Sequence, residues 1–123
     1  MTNMENMRNK RRVGDTGEEI AVKYLETHGY TIIKRNYYSR YGEIDVIAAK
    51  GEYIVFVEVK YRKNNLYGEP SLAVDYRKQE KLKKTALQYV SENEAEDKDL
   101  RFDIIEITGI GEVAINHIEN AFY

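Results

Sequence analysis

Apolar residues along the chain follow two different spacings. Between Asp15 and His28 they fall at Ile20, Ala21, Tyr24 and Leu25, the three-to-four repeat of one helix face. Thr16 followed by Glu19 forms a capping-box pattern ahead of that stripe, and Gly29 supplies a C-terminal stop. The spacing then shortens to apolar runs that predict strands at Tyr30–Asn36, Glu43–Ala49 and Tyr53–Arg62, with a tyrosine-rich turn, "YYSRYG", between the first two. A polar loop containing the single proline, Pro70, precedes a second helical stretch, Asp75 to Ser91, whose stripe is Leu82, Ala86, Tyr89 and Val90. An acidic loop follows, then strands around Arg101–Ile107 and Val113–Ile118. The order α-β-β-β-α-β-β predicts an α/β fold, a mixed sheet flanked by helices. The second helix is long enough to be a right-handed crossover between parallel strands.

Charged residues interrupt the most apolar part of this pattern. Along the third strand, Ile54, Phe56, Glu58 and Lys60 share one face, and Tyr53, Val55, Val57, Val59 and Tyr61 share the other. Both faces are apolar outside Glu58 and Lys60, as expected of a strand covered on both sides. A two-residue loop at Lys50-Gly51 would pair Ala49 with Glu52 and set Asp45 opposite Phe56, diagonal to Glu58 at about 7–8 Å. A four-residue loop keeps this facing; a three-residue loop without a bulge reverses it. Acids and lysines on an exposed sheet face need no special account. A buried unpaired carboxylate costs several kcal/mol, and a Glu58–Lys60 pair would satisfy one acid and leave Asp45.

Composition narrows the setting. The 123 residues suit one domain, read as a flexible basic arm over 1–13 and a single domain over 14–123. The absence of cysteine excludes disulfides and thiolate chemistry. The N-terminus has no apolar signal region and no run approaches the ~20 apolar residues of a membrane span, so a cytoplasmic protein with no membrane partner is expected. The formal net charge is −2, but "ENEAEDKD" (Glu92 to Asp99) alone carries −4, which leaves the rest at +2; residues 1–12 carry +3. Basic and aromatic residues interleave around the first turn (Lys34, Arg35, Tyr37, Tyr38, Arg40, Tyr41), and a second basic stretch follows the third strand (Arg62, Lys63, Arg77, Lys78, Lys81, Lys83, Lys84). Cations contact phosphates and aromatics stack on unpaired bases, so Arg12, Arg35, Arg40, Arg62, Lys63, Lys78 and Gln79 are the candidate nucleic-acid contacts, with the acidic loop set away from them. The two histidines, His28 and His117, are too far apart in sequence to suggest a zinc site; His28 suits a helix C-terminus.

Two carboxylates a few ångströms apart make an all-oxygen site suited to Mg²⁺ or Mn²⁺, and a neighbouring lysine can orient or help deprotonate a water; together these parts describe phosphodiester hydrolysis. The segments "GDTGEEIAVKYL", "GYTIIKRN", "GEIDVIA", "VFVEVKYR", "YGEP", "RKQEKL", "RFDIIEI" and "HIENAFY" resemble the YraN-like family of small bacterial proteins within the PD-(D/E)XK nuclease superfamily. The resemblance extends to archaeal Holliday junction resolvases. Ile44 stands where the superfamily motif has proline. The resemblance implies a restriction-endonuclease-like αβββαβ core, with Asp45 and Glu58 as metal ligands, Lys60 as the catalytic lysine and an acid on the first helix at Glu18. Helix geometry agrees with that last choice: Glu19 lies opposite the apolar stripe and Glu18 at its edge. Gln79 falls where such nucleases place a polar residue near the metal. The implied activity is a Mg²⁺- or Mn²⁺-dependent endonuclease acting on DNA, branched or repair intermediates included, with a second copy of the chain as partner. Two alternatives remain open: a non-catalytic nucleic-acid-binding or adaptor module of the same fold, and a structural domain with a buried ion network.

Overall fold

The computed structural model describes residues 16–63 and 74–122. Helix α1 covers residues 16–27, followed by β1 (Thr31–Ser39), β2 (Gly42–Lys50), β3 (Tyr53–Arg62), α2 (Tyr76–Glu92), β4 (Asp99–Thr108) and β5 (Ala114–Ile118). The sheet order is β1-β2-β3-β4-β5. Among the described residues only β3 and β4 run parallel, with α2 between them in sequence, and every other neighbouring pair is antiparallel. This is the mixed α/β sheet of the restriction-endonuclease-like fold. The predicted arm and Arg12 lie outside the described residues.

Each helix stops and starts for a local reason. Gly29 takes φ +86°, the left-handed conformation that ends α1, and Tyr30 N donates to the Leu25 carbonyl at 3.0 Å. His28 Nδ1 lies 2.7 Å from the Tyr24 carbonyl, in the capping place its position suggests. Asp75 caps α2 by accepting from Lys78 N at 2.8 Å.

The helices cover opposite faces of the sheet. Ala21, Val22 and Leu25 of α1 pack on Val46, Ala48, Val55, Val57, Ile105 and Ile107. Leu82, Ala86, Tyr89 and Val90 of α2, the stripe read from the sequence, pack on Ile44, Ile47, Ile54, Phe56, Phe102 and Ile104. The central strand β3 is therefore apolar on both faces because both are covered; each fully buried valine contributes roughly 1.5–3 kcal/mol.

Two expectations change. The tyrosine-rich turn is mostly strand: Tyr37 and Tyr38 lie in β1, and Ser39 pairs with Gly42, leaving Arg40 and Tyr41 as the turn. Tyr37 is drawn into the core, edge-on to Tyr89 at 5.4 Å, while Tyr38 is 67% exposed. The β2–β3 loop is Gly51-Glu52, not Lys50-Gly51, because Lys50 remains in the ladder opposite Tyr53. Lys50 Nζ donates to the His28 carbonyl and lies 4.9 Å from the Tyr30 ring centre, and Gly51 takes the positive φ, +58°, at the first loop position. The register moves by two residues, which preserves which residues face which.

Candidate active site

With the observed register, the pairs run from Lys50↔Tyr53 to Val46↔Val57, and the next step sets Asp45 across from Glu58 instead of Phe56. Alternation along β2 slips at this point. Ile44 packs with the α2-side core and Val46 with the α1-side core, although strict alternation would place them together. The neighbouring strand slips with it: Asn36, between Arg35↔Val46 and Tyr37↔Ile44, has φ +53°. Asp45 is consequently not on one flat face with Glu58 and Lys60, as the sequence pattern implies. Its carboxylate occupies the end of the β2–β3 ladder, where Oδ2 accepts from Val59 N at 2.8 Å.

Asp45 meets two further acids there. Carboxylate oxygens of Glu18, Glu43 and Asp45 all lie within 4.8 Å of one another. Glu18 is delivered by the first turn of α1, which sits close to β3 because residue 17 is glycine: a Cβ at Gly17 would stand 3.1 Å from Tyr61 Cβ. Glu43 comes from β2, two residues before Asp45. The Asn36 side-chain amide, turned to donate, reaches Glu43 Oε1 at 2.9 Å and Glu18 Oε1 at 2.8 Å. Arg35 faces the same helix, pairing with Glu19 and lying 3.7 Å from Glu18.

Glu58 and Lys60 point toward α2. Together with Val74, Asp75 and Lys78 they line a cleft of ≈ 230 Å³. Lys78 Nζ lies 3.3 Å from Glu58 Oε1. Two half-enclosed groups of charge, one on each side of the ladder's end, thus meet at Asp45. Burial first, then the charge of Glu58, pushes the Asp45 carboxyl up to about 7; Glu18 and Glu43 add to the rise, and the Val59 N–H opposes it. Burial also raises the Glu58 carboxyl, against the pull of Lys78 and Lys60. Such a set of partly desolvated, mutually repelling carboxylates is the donor chemistry of a hard divalent cation.

The candidate nucleic-acid contacts fall in different places. Arg62 ends β3 two residues beyond Lys60 and Lys63 follows it, while Lys78 lines the cleft. Arg40 stacks on Tyr41 at 4.9 Å, with Lys84 on the same ring at 5.5 Å, over a hollow that Leu87 and Gln88 also line. Arg35 is committed to the α1 acids. The Gln79 side-chain amide donates to the Val74 carbonyl at 2.7 Å, in a backbone contact at the start of α2. The acidic loop lies away from the cleft, since Asp99 pairs with Tyr53 at the opposite end of β3 from Lys60.

Two features escaped the sequence. Glu43 joins the acidic group; its signal was the two-residue spacing to Asp45 on one strand. A second polar centre forms where β4 and β5 meet α1. Buried Asp103 accepts from Arg101 Nε at 3.0 Å and Asn120 N at 2.9 Å and lies 2.7 Å from His117 Nε2, whose Nδ1 meets Tyr24 OH at 3.1 Å. Among the described residues no helix is long and apolar enough to cross a membrane.

Residues 17–107 match the family described as "Uncharacterised protein family UPF0102". A UPF0102 protein of Thermodesulfovibrio yellowstonii is 47% identical over 90% of this chain and 96% of its own length. UPF0102 proteins of Alkaliphilus oremlandii and Geobacter metallireducens are 46% and 48% identical, over 91% and 89% of this chain and 98% and 91% of theirs.

Proposed function

The chain belongs to the UPF0102 family, and we propose that it is a Mg²⁺- or Mn²⁺-dependent endonuclease that hydrolyses phosphodiester bonds in DNA, branched or repair intermediates included. The observation that carries this is the convergence of Glu18, Glu43 and Asp45 within 4.8 Å, beside a cleft holding Glu58 and Lys60. In this reading Asp45, Glu18 and Glu43 hold the cation, with Glu58 as a further ligand. When bound, the cation would polarise a phosphoryl oxygen and acidify a water. Lys60 orients the attacking water and offsets charge on the phosphoryl oxygens. The water oxygen forms the new P–O bond and releases a proton to solvent, a bridging P–O bond breaks, and the departing oxygen takes a proton from solvent. Arg40, Arg62, Lys63 and Lys78 contact the backbone, while Tyr41 and Tyr38 offer rings to unpaired bases. One site cuts one strand, so a second copy of the chain would serve the other.

The Lys78–Glu58 ion pair favours a second reading, a non-catalytic DNA-binding module, because it occupies a carboxylate the metal would need. Incubation with labelled linear, flapped and four-way DNA plus Mn²⁺ separates the two. Cleavage lost in Lys60→Ala, with Mn²⁺ binding retained, supports the nuclease. Binding of branched DNA without cutting under any divalent cation supports the module.

A further inference from the structure

The β1–β2 turn is pinned to α2. Ser39 Oγ accepts from Tyr41 N at 3.0 Å and from Gly42 N at 3.3 Å, and it lies 2.8 Å from Oγ1 of Thr85, a fully buried hydroxyl of the helix. Thr85 in turn donates to the Lys81 carbonyl at 2.8 Å. Turn and helix together border a hollow of ≈ 360 Å³, within the range of roughly 300–1,000 Å³ typical of ligand pockets.

The lining of this hollow combines three kinds of group. Arg40 and Lys84 both converge on the Tyr41 ring, and Arg40 Nη2 donates to Tyr41 OH at 2.7 Å. Leu87, 59% exposed, and Gln88 complete the wall. None of the ion pairs among the described residues uses Arg40, Lys81 or Lys84. Cations gathered without an acid repel one another, so the place favours an anion. A flat ring would stack on Tyr41 or on the Arg40 guanidinium and cover Leu87, with the Gln88 amide at its polar edge. A nucleotide supplies the anion, the ring and the edge together. Its base faces are free to stack in this way only where the strand is unpaired.

The helix links this hollow to the cleft. Lys78 lines the cleft and pairs with Glu58 of β3; the Cβ of Lys81 stands 3.9 Å from where a Cβ on Gly42 of β2 would lie; Lys84 reaches the turn. Six residues of helix rise about 9 Å, and a stacked strand advances about 3.4 Å per phosphate, so the span covers two to three nucleotides. We propose that the Arg40–Tyr41–Lys84 hollow is a subsite for an unpaired nucleotide two to three positions from the phosphate that is cut, so that the substrate is DNA with a single-stranded branch and not continuous duplex. This deepens the nuclease reading and rests on it for the distance to the cut; binding in the hollow does not depend on that reading.

The test is made on the full chain in EDTA, which separates binding from cleavage. Fluorescence anisotropy compares duplex bearing a 5′ or 3′ flap with the same duplex lacking it. Wild type should prefer flapped DNA. Tyr41→Ala should lose roughly 5- to 150-fold of affinity for flapped DNA, the worth of one stacked base, and little for plain duplex. Tyr41→Phe, which keeps the ring, should retain most of the preference. Arg40→Gln combined with Lys84→Gln should reduce the slope of log affinity against log salt by about 1.4, that of two single-strand phosphates. A flap carrying 5-iodouracil at its second or third nucleotide should photocrosslink to the peptide containing Tyr41. Melting temperatures should be unchanged throughout. Absence of a flap preference, an equal loss on both DNAs in Tyr41→Ala, or crosslinks confined to other peptides overturns the subsite even if the protein cuts DNA. Flap preference and the Tyr41 crosslink without cutting in Mn²⁺ refute the nuclease reading and leave the subsite standing.

Discussion

Replacing Asp45 with asparagine should stabilise the metal-free protein, and the gain should depend on pH in a way only a repelled, half-buried acid produces. The amide keeps an oxygen that can accept from Val59 N, so the ladder's end need not change. Wild-type Asp45 ionises near its ordinary value of 3.8 when unfolded but at about 7 when folded. A carboxyl whose folded value is raised stabilises fully below the unfolded value and loses that contribution as pH rises through the folded one. At pH 8 the difference amounts to about 3 pH units, or roughly 4 kcal/mol against the native state. At pH 4 the same arithmetic leaves under about 1 kcal/mol. Relaxation of the acidic group makes the first figure an upper one. At about 4 °C per kcal/mol for a chain this size, the variant should melt several degrees higher at pH 8 in EDTA and within a few degrees of wild type at pH 4. Millimolar Mn²⁺ should reverse the order at pH 8, raising the wild-type melting temperature and leaving the variant unmoved. Scanning calorimetry across pH, with and without Mn²⁺, measures all of this. A variant less stable than wild type at pH 8 in EDTA, or a gain that does not shrink on acidification, would refute the picture of mutually repelling carboxylates.

Other substitutions probe the frame that holds the site. Gly17→Val forces α1 away from Tyr61 and should cost about 1–3 kcal/mol in urea unfolding, with Mn²⁺ affinity falling because Glu18 moves with the helix. Asp103→Ala strands Arg101 and His117 in a buried place and should cost about 3–5 kcal/mol at neutral pH. Burial raises the Asp103 carboxyl, but bonds from His117, Arg101 and Asn120 N outweigh it and leave it below the usual range. Its contribution is therefore present above the ordinary aspartate value and lost as pH falls through the lowered one, so acid titrations of wild type and variant should converge at low pH.

The ladder was legible because β-strand alternation survives errors of two. The predicted loop was misplaced by one residue at each side, a two-residue slide in register that keeps the facing along the ladder, whereas the slip at Asp45 takes its carboxylate off the face of Glu58 and Lys60. Glu43, an acid two residues from Asp45 in an apolar strand, went unread. The Asp103–His117 contact was out of reach: 14 residues separate the pair, and only the β4–β5 register brings them together.

By itself the sequence determined the elements and their order, because helix stripes, the Asp75 cap, the Gly29 stop and the doubly apolar β3 are written in local spacing. It also showed that charge interrupts the apolar strands near the middle of the chain. The tertiary structure alone decided how that charge is divided. The slip at Asn36 and Asp45 turns one carboxylate out of the face shared by Glu58 and Lys60 and into the company of Glu18 and Glu43. Alternation is a property of one strand, whereas a slip in it is set by neighbouring strands and by the helix packed above them.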